Sequence, residues 1–196
     1  MLRLFCLVLA TLLMLTPALA HTGIADTTGF AHGFIHPVGG MDHVLAMVAV
    51  GLFAALMGGA ARWLVPTSFV AMMAVGGALG MAGVSIPFVE IAIGLSVVVF
   101  GAAVALHPNM RVAASMAFVG FFALFHGHAH GAEMPDAVSG LEYGIGFMLA
   151  TALLHAAGIG LGLAIGRISE LHGRRIAQVS GGSMALAGVA ILAYSI

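Results

Sequence analysis

The chain has 196 residues, of which 62% are hydrophobic and only 7% are charged, and its mean hydropathy is +1.16. Soluble globular domains usually carry about 25% charged residues, so the composition excludes that class and predicts a membrane protein. The formal net charge of −1 provides no basic surface for nucleic acid. The single cysteine, Cys6, cannot support a disulfide framework or a thiolate metal site, whereas ten histidines are many for so apolar a chain.

Residues 1–20 have the pattern of a secretory signal peptide. Arg3 supplies the positive charge, a leucine-rich run forms the apolar segment, and Ala18–Ala20 forms an A-x-A cleavage site. Cleavage there would leave His21 at the N-terminus, where its α-amine and imidazole together form a metal chelate. The alternative is an uncleaved anchor helix. We expect cleavage, which makes residues 21–196 the mature domain.

Residues 22–35 are rich in glycine and threonine and too short and polar to span a bilayer, so we expect them to be irregular. Six apolar runs follow, each near the roughly 20 residues that a spanning helix needs. No long loop separates them, so the chain is predicted to form one all-α domain, a polytopic membrane bundle of six transmembrane helices. The runs are approximately Asp42–Ala61, Val65–Gly83, Pro87–Leu106, Met110–His130, Gly140–Ile165 and Ile176–Tyr194.

The arginines predict the orientation of the bundle. The first, third and fifth connections between runs carry Arg62, Arg111 and the group Arg167, Arg174 and Arg175, whereas the second and fourth carry no cationic residue. The positive-inside rule therefore places the odd-numbered connections in the cytoplasm. With six spans, both ends of the mature chain are predicted to lie outside, which agrees with a cleaved signal peptide.

Glycines recur at helical spacing on two of the runs. Gly158, Gly162 and Gly166 repeat every four residues on the fifth run, and Gly76 and Gly80 do so on the second. Small residues at this spacing let transmembrane helices approach closely. Such faces serve either contacts within the bundle or a homo-oligomer interface, and the sequence leaves both open.

The octet HPVGGMDH, residues 36–43, places two imidazoles and a carboxylate at the mouth of the first span. Polar groups there need a partner that lipid cannot supply, and a divalent cation is such a partner. Imidazole and carboxylate together suit borderline metals such as Ni, Co and Zn. The proline and glycines favour a bend that folds His36 back toward Asp42 and His43. The alternative is that Asp42 caps the helix while the histidines lie in interfacial water.

A second cluster, FHGHAHGAE at residues 125–133, ends the fourth run on the same side of the membrane. On a continuous helix its first and third histidines share one face with the glutamate, while His128 points elsewhere. Two imidazoles at i and i+4 can bind one cation. The alternative is a solvated, histidine-rich helix end. We predict one outward-facing pocket whose metal ligands come from both clusters: His36, Asp42, His43, His126, His130 and Glu133.

Two further ionisable residues are candidates for the same pathway. Glu90 lies in the first turn of the third run, at the edge of the predicted pocket, where it equally complements the helix dipole. His155 lies on the fifth run, about 20 Å from its outer end. An ionisable residue at that depth is a functional candidate, here a deeper metal ligand, and the alternative is a hydrogen bond to a backbone carbonyl.

These motifs carry a resemblance to a known family. Residues 36–51, HPVGGMDHVLAMVAVG, resemble the signature of the HupE/UreJ family of hydrogenase- and urease-associated nickel permeases. Residues 125–133 resemble the second signature of that family, and residues 146–155 resemble its fifth span. The larger nickel–cobalt transporter family has four residues between its first histidine and its Asp-His pair, whereas this chain has five.

The resemblance implies uptake of nickel, sometimes cobalt, across the bacterial inner membrane for metalloenzyme assembly. Its motifs correspond to His36, Asp42 and His43 in the first cluster and to His126, His130 and Glu133 in the second.

We therefore expect a secondary transporter or facilitator of Ni²⁺, with Co²⁺ or Zn²⁺ also compatible with the ligands, and not an enzyme. The sequence contains no P-loop that would couple transport to a nucleotide. The rival is an intramembrane zinc hydrolase, which the lack of an HExxH motif disfavours. A bis-His haem protein is a third reading, which the different depths of His126 and His155 disfavour.

Overall fold

The structure, a computed structural model, describes residues 29–135, 137–168 and 170–195. The predicted signal peptide, Cys6 and His21 lie outside these residues. Regular secondary structure in the described residues is entirely helical, which confirms the predicted all-α fold. The helices are α1 (Gly29–Gly39), α2 (Met41–Met57), α3 (Ala61–Met81), α4 (Val89–Leu106), α5 (Val112–Ala132), α6 (Gly140–Gly166) and α7 (Glu170–Ser195).

Five of the described helices, α3 to α7, are long and apolar enough to cross a membrane alone. Helices α1 and α2 form a sixth candidate only as a pair, because the chain bends by 82° between them. Helix α2 has 17 residues and is therefore about 25 Å long, short of the roughly 30 Å hydrocarbon core. The predicted multi-pass helical bundle is confirmed. The bend lies at Gly40, within the octet where the sequence predicted one, and α2 ends at Met57, before the predicted Ala61.

The prediction that residues 22–35 are irregular is wrong for the part that the structure describes. Helix α1 begins at Gly29 and packs beside the first turns of α6. A Cβ at Gly33 would collide with the backbone of Tyr143, and one at Gly146 with that of Phe30, so the two backbones touch. The glycines that suggested a loop are therefore the small residues that let these helices pack together.

The remaining helices run alternately up and down between short connections. We call the end of the bundle that carries His43 and His130 the histidine end, and the opposite end, with Arg62 and Arg111, the arginine end. Helix α7 begins six residues earlier than predicted, so that Arg174 lies in its first turns and not in the connection. Long arginine side chains can reach the membrane interface from inside a helix, so a helix can begin before its apolar run begins.

Glycine contacts fix the closest helix pairs. A Cβ at Gly76 would meet the Leu124 carbonyl of α5, and a Cβ at Gly51 would meet the His155 carbonyl of α6. Gly158 packs in the same way against the Val48 carbonyl of α2. These faces are contacts within the bundle. Gly160 has no described neighbour within 4 Å of the position its Cβ would take.

Candidate metal site

The two histidine motifs meet at the histidine end, where the first turn of α2 faces the last turns of α5. His43 Nδ1 lies 2.9 Å from His130 Nε2 and 3.1 Å from His126 Nδ1. His126 and His43 are 0% and 1% exposed, respectively. The helical spacing explains this arrangement, because residues four apart on α5 stack on one face. Three imidazole nitrogens from two helices therefore converge on one buried point, and we call His43, His126 and His130 the inner triad.

A serine on α4 determines which nitrogen of His126 faces the triad. The Ser96 hydroxyl donates its one proton to the Ile93 carbonyl at 2.6 Å, so it can only accept from His126 Nε2 at 2.7 Å. His126 Nε2 must then carry the ring proton. The hydrogen-bond network thus assigns an unprotonated Nδ1 that faces His43.

The inner triad holds more lone pairs than its own protons can satisfy. His43 Nδ1 approaches both His126 Nδ1 and His130 Nε2, and a single N–H on His43 can donate to only one of them. The other ring nitrogen of His43, Nε2, has no hydrogen-bond partner among the described residues. A cation at about 2 Å from each nitrogen would satisfy all three lone pairs at once, after the rings separate by a few tenths of an ångström.

A second group of possible ligands lies nearer to solvent, and we call His36, His130 and Glu133 the outer group. One ligand atom from each lies within 4.8 Å of the others. Glu133 Oε2 is 3.4 Å from His36 Nε2 and 3.8 Å from His130 Nδ1. The His36 and Glu133 side chains are 38% and 57% exposed, so an ion can reach them from water. His130 belongs to both groups, one nitrogen in each, and therefore connects the solvent with the buried triad.

The two remaining carboxylates of the predicted pocket stand beside these groups. Asp42 is half-buried in the first turn of α2, and its Oδ1 accepts the backbone N–H of His43 at 2.7 Å. The N-cap of α2 is Gly40, without a side-chain capping bond, so Asp42 does not cap the helix as the alternative supposed. Glu90 is exposed in the first turn of α4, within electrostatic reach of Glu133 and Asp42. The side chains of Asp42 and Glu90 thus make the mouth of the site acidic.

His128 points away from the inner triad, as the helical spacing predicted. Its Nε2 lies 2.6 Å from the Val84 carbonyl in the connection between α3 and α4. Close beside the triad, a cavity of about 220 Å³ between α3, α5 and α6 is lined by His130, Tyr143 and Phe147. His130 therefore has space on one side in which its ring can move.

His155 lies deeper, on the face of α6 that also carries Phe147 and Thr151 at intervals of four residues. It is 2% exposed, and the Phe69 ring lies 5.1 Å from it and 5.8 Å from His126. His155 therefore occupies a separate position beyond the triad, with an aromatic ring against both imidazoles.

Ser96 and Phe69 are not among the residues predicted from the sequence. Ser96 had a usable signal, because it is the one uncharged polar side chain within the apolar run of α4. A hydroxyl inside a transmembrane helix usually bonds to the preceding turn or to a neighbouring helix, and Ser96 does both. Phe69 is one of twelve phenylalanines, and nothing in its position along the chain distinguishes it.

Comparisons with known proteins agree with the motifs. A family model described as HupE / UreJ protein matches residues 9–191. Protein HupE of Rhizobium leguminosarum bv. viciae is 45% identical over 185 residues, which cover 94% of each chain. No solved structure matches the chain. The match spans nearly all of the helices and both histidine motifs, and the chain belongs to the HupE/UreJ family.

Proposed function

We propose that this protein is a permease that carries Ni²⁺ across the bacterial inner membrane, from the periplasm to the cytoplasm, for metalloenzyme assembly. The observation that carries the proposal is the inner triad, in which one nitrogen of His126 and one of His130 each lie about 3 Å from His43 Nδ1. Family membership supports the same function.

The donor set suits a transported ion of borderline softness. Imidazole binds Ni²⁺, Co²⁺ and Zn²⁺, and a carboxylate supplies the negative charge that attracts them. The outer group offers two histidines and one carboxylate within reach of water, and the inner triad offers three neutral nitrogens. A cation would therefore be captured at Glu133 and passed inward by His130. The preference for nickel over cobalt and zinc rests on the family resemblance.

The packing of the remaining interior supports entry of the ion to the triad from the histidine end only. Below the triad, the buried side chains toward the arginine end include Phe53, Phe100 and Val104, all at most 1% exposed. Such packing leaves no room for a hydrated ion. With the arginine end in the cytoplasm, the described arrangement is an outward-facing state. The similarities in sequence lend no support to the zinc hydrolase alternative.

The test is uptake of radioactive nickel by cells that lack their own nickel uptake and express this chain. We expect His36→Ala, His43→Ala and His130→Ala each to abolish uptake while the protein still inserts. Asp42→Ala, whose carboxylate bonds to the His43 amide, should lower uptake by about 10- to 100-fold. Loss of a direct ligand should reduce uptake by more than the roughly 10- to 100-fold that substitution of a residue next to a ligand causes. His128→Ala should be milder, because its imidazole bonds to Val84 and not to the triad.

His32→Ala is the matched control, since His32 is exposed on α1 one turn before His36. It should transport like the unmodified chain. Nickel uptake by the unmodified chain no greater than in cells without it would refute the proposed function. Equal sensitivity of His32 and His43 would refute the assignment of the site.

A further inference from the structure

His155 is a buried polar side chain without a partner. Neither Nδ1 nor Nε2 has a hydrogen-bond partner among the described residues, although the residue is only 2% exposed. Leaving a buried polar group unsatisfied destabilises the folded protein, so native structures rarely tolerate it without a compensating role. The alternative predicted from the sequence was a hydrogen bond from His155 to a backbone carbonyl. No such bond is present among the described residues.

No hydrogen bond joins His155 to the polar side chain one turn before it on α6, that of Thr151. The Thr151 hydroxyl donates to Met73 Sδ at 3.6 Å. On its other side, the α6 backbone at His155 lies against Gly51 of α2, so the helices leave little space there. A free imidazole lone pair therefore remains in an otherwise apolar part of the bundle.

The position of His155 relates it to the inner triad. Side chains on an α-helix lean toward its N-terminus, and α6 begins at the histidine end, so the ring of His155 leans toward the triad. It is within electrostatic reach of His43 and His126. The Phe69 ring contacts both His126 and His155, with centroid distances of 5.8 and 5.1 Å.

We propose that His155 is a separate inner transfer site, which takes the divalent cation from the inner triad before release toward the arginine end. The proposal rests on the proposed transport function and adds a second binding position to it. The ion exchanges three imidazole ligands for one imidazole and whatever water accompanies it. The lone ligand makes this site weak, and a weak second site lets the ion leave instead of remaining trapped in the triad.

The experiment separates binding from transport in one variant, His155→Leu. We expect nickel uptake to fall about tenfold or more, which corresponds to about 1.4 kcal/mol. Binding of Co²⁺ to the purified chain, followed by its visible absorption, should keep its affinity within about twofold, because the triad and outer group are intact. Thermal stability should be unchanged or higher, since leucine removes an unsatisfied polar group from an apolar site.

Each other outcome contradicts the inference in a distinct way. Uptake by His155→Leu within about twofold of the unmodified chain would show that no ion needs His155. Parallel loss of Co²⁺ affinity and uptake would make His155 part of the triad and not a separate site. If His155→Leu does not accumulate in the membrane, His155→Gln, which keeps a polar side chain of similar length, is measured in the same way. Absence of uptake by the unmodified chain would refute the proposed function itself.

Discussion

The hydrogen bond between Ser96 and His126 leads to a prediction that separates metal affinity from stability. Ser96 is 0% exposed, and its hydroxyl accepts from His126 Nε2, which keeps Nδ1 unprotonated toward the inner triad. In Ser96→Ala this acceptor is gone. The ring of His126 can then move its proton to Nδ1 and donate to His43, which spares the metal-free protein an unsatisfied N–H.

The cost appears when a cation binds. Coordination by Nδ1 forces the proton back to Nε2, which in Ser96→Ala is buried without an acceptor. An unsatisfied buried donor costs about 1–3 kcal/mol. At about 1.4 kcal/mol per tenfold, we expect the affinity for Ni²⁺ or Co²⁺ to fall about 5- to 150-fold. The stability of the metal-free protein should change much less, because the alternative tautomer is available to it.

The assay is titration of the purified chain with Co²⁺, paired with thermal unfolding in the presence of a chelator. Ser115→Ala is the matched control, since Ser115 is also 0% exposed on a transmembrane helix but bonds only to the Arg111 carbonyl at 3.3 Å. It should bind Co²⁺ normally. The tautomer assignment is refuted if Ser96→Ala binds with unchanged affinity, or if the metal-free protein loses stability as much as the complex does.

Two predictions concern the bundle itself. Gly76→Leu should reduce the amount of folded protein in the membrane, because a side chain there collides with the α5 backbone at Leu124. Gly160→Leu, with open space at its Cβ, should accumulate normally. Equal accumulation of the two variants would contradict the helix packing. A reporter fused after Tyr194 should be active only in the periplasm, as the arginine distribution predicts. A reporter active in the cytoplasm would contradict the proposed orientation.

Apolar run length was sufficient to predict most of the helices, because a spanning segment must satisfy its backbone internally and avoid charge. The errors lie where that rule does not apply. Helix α1 contains histidines and three glycines, and its contact with α6 at Gly33 is a property of two surfaces and not of one segment. The early start of α7 follows from arginines that a helix can carry at its end.

For the candidate site, helical spacing predicted which histidines of α5 share a face and that His128 does not. It could not predict which ring nitrogen each residue presents, because that depends on hydrogen bonds between helices such as the one from Ser96 on α4. It also could not show that Asp42 turns its carboxylate to the His43 amide. These side-chain orientations and tautomers are determined by contacts between residues that are distant in sequence. The spacing of residues along one helix contains no information about such contacts.

The order of the polar groups along the bundle determines how far an ion can move into it in this state. Among the described residues of the site, the carboxylates lie at its mouth, where Glu133 is more than half exposed, and every candidate ligand beyond His130 is an imidazole. The triad offers a divalent cation three imidazole ligands and His155 offers one, so the energy of the ion rises as it moves inward from the triad. Beyond His155, the buried packing around Phe53 and Phe100 contains no histidine or carboxylate among the described residues. In this arrangement an ion can be held but not released toward the arginine end, so the proposed transport requires a rearrangement of the helices that line the triad.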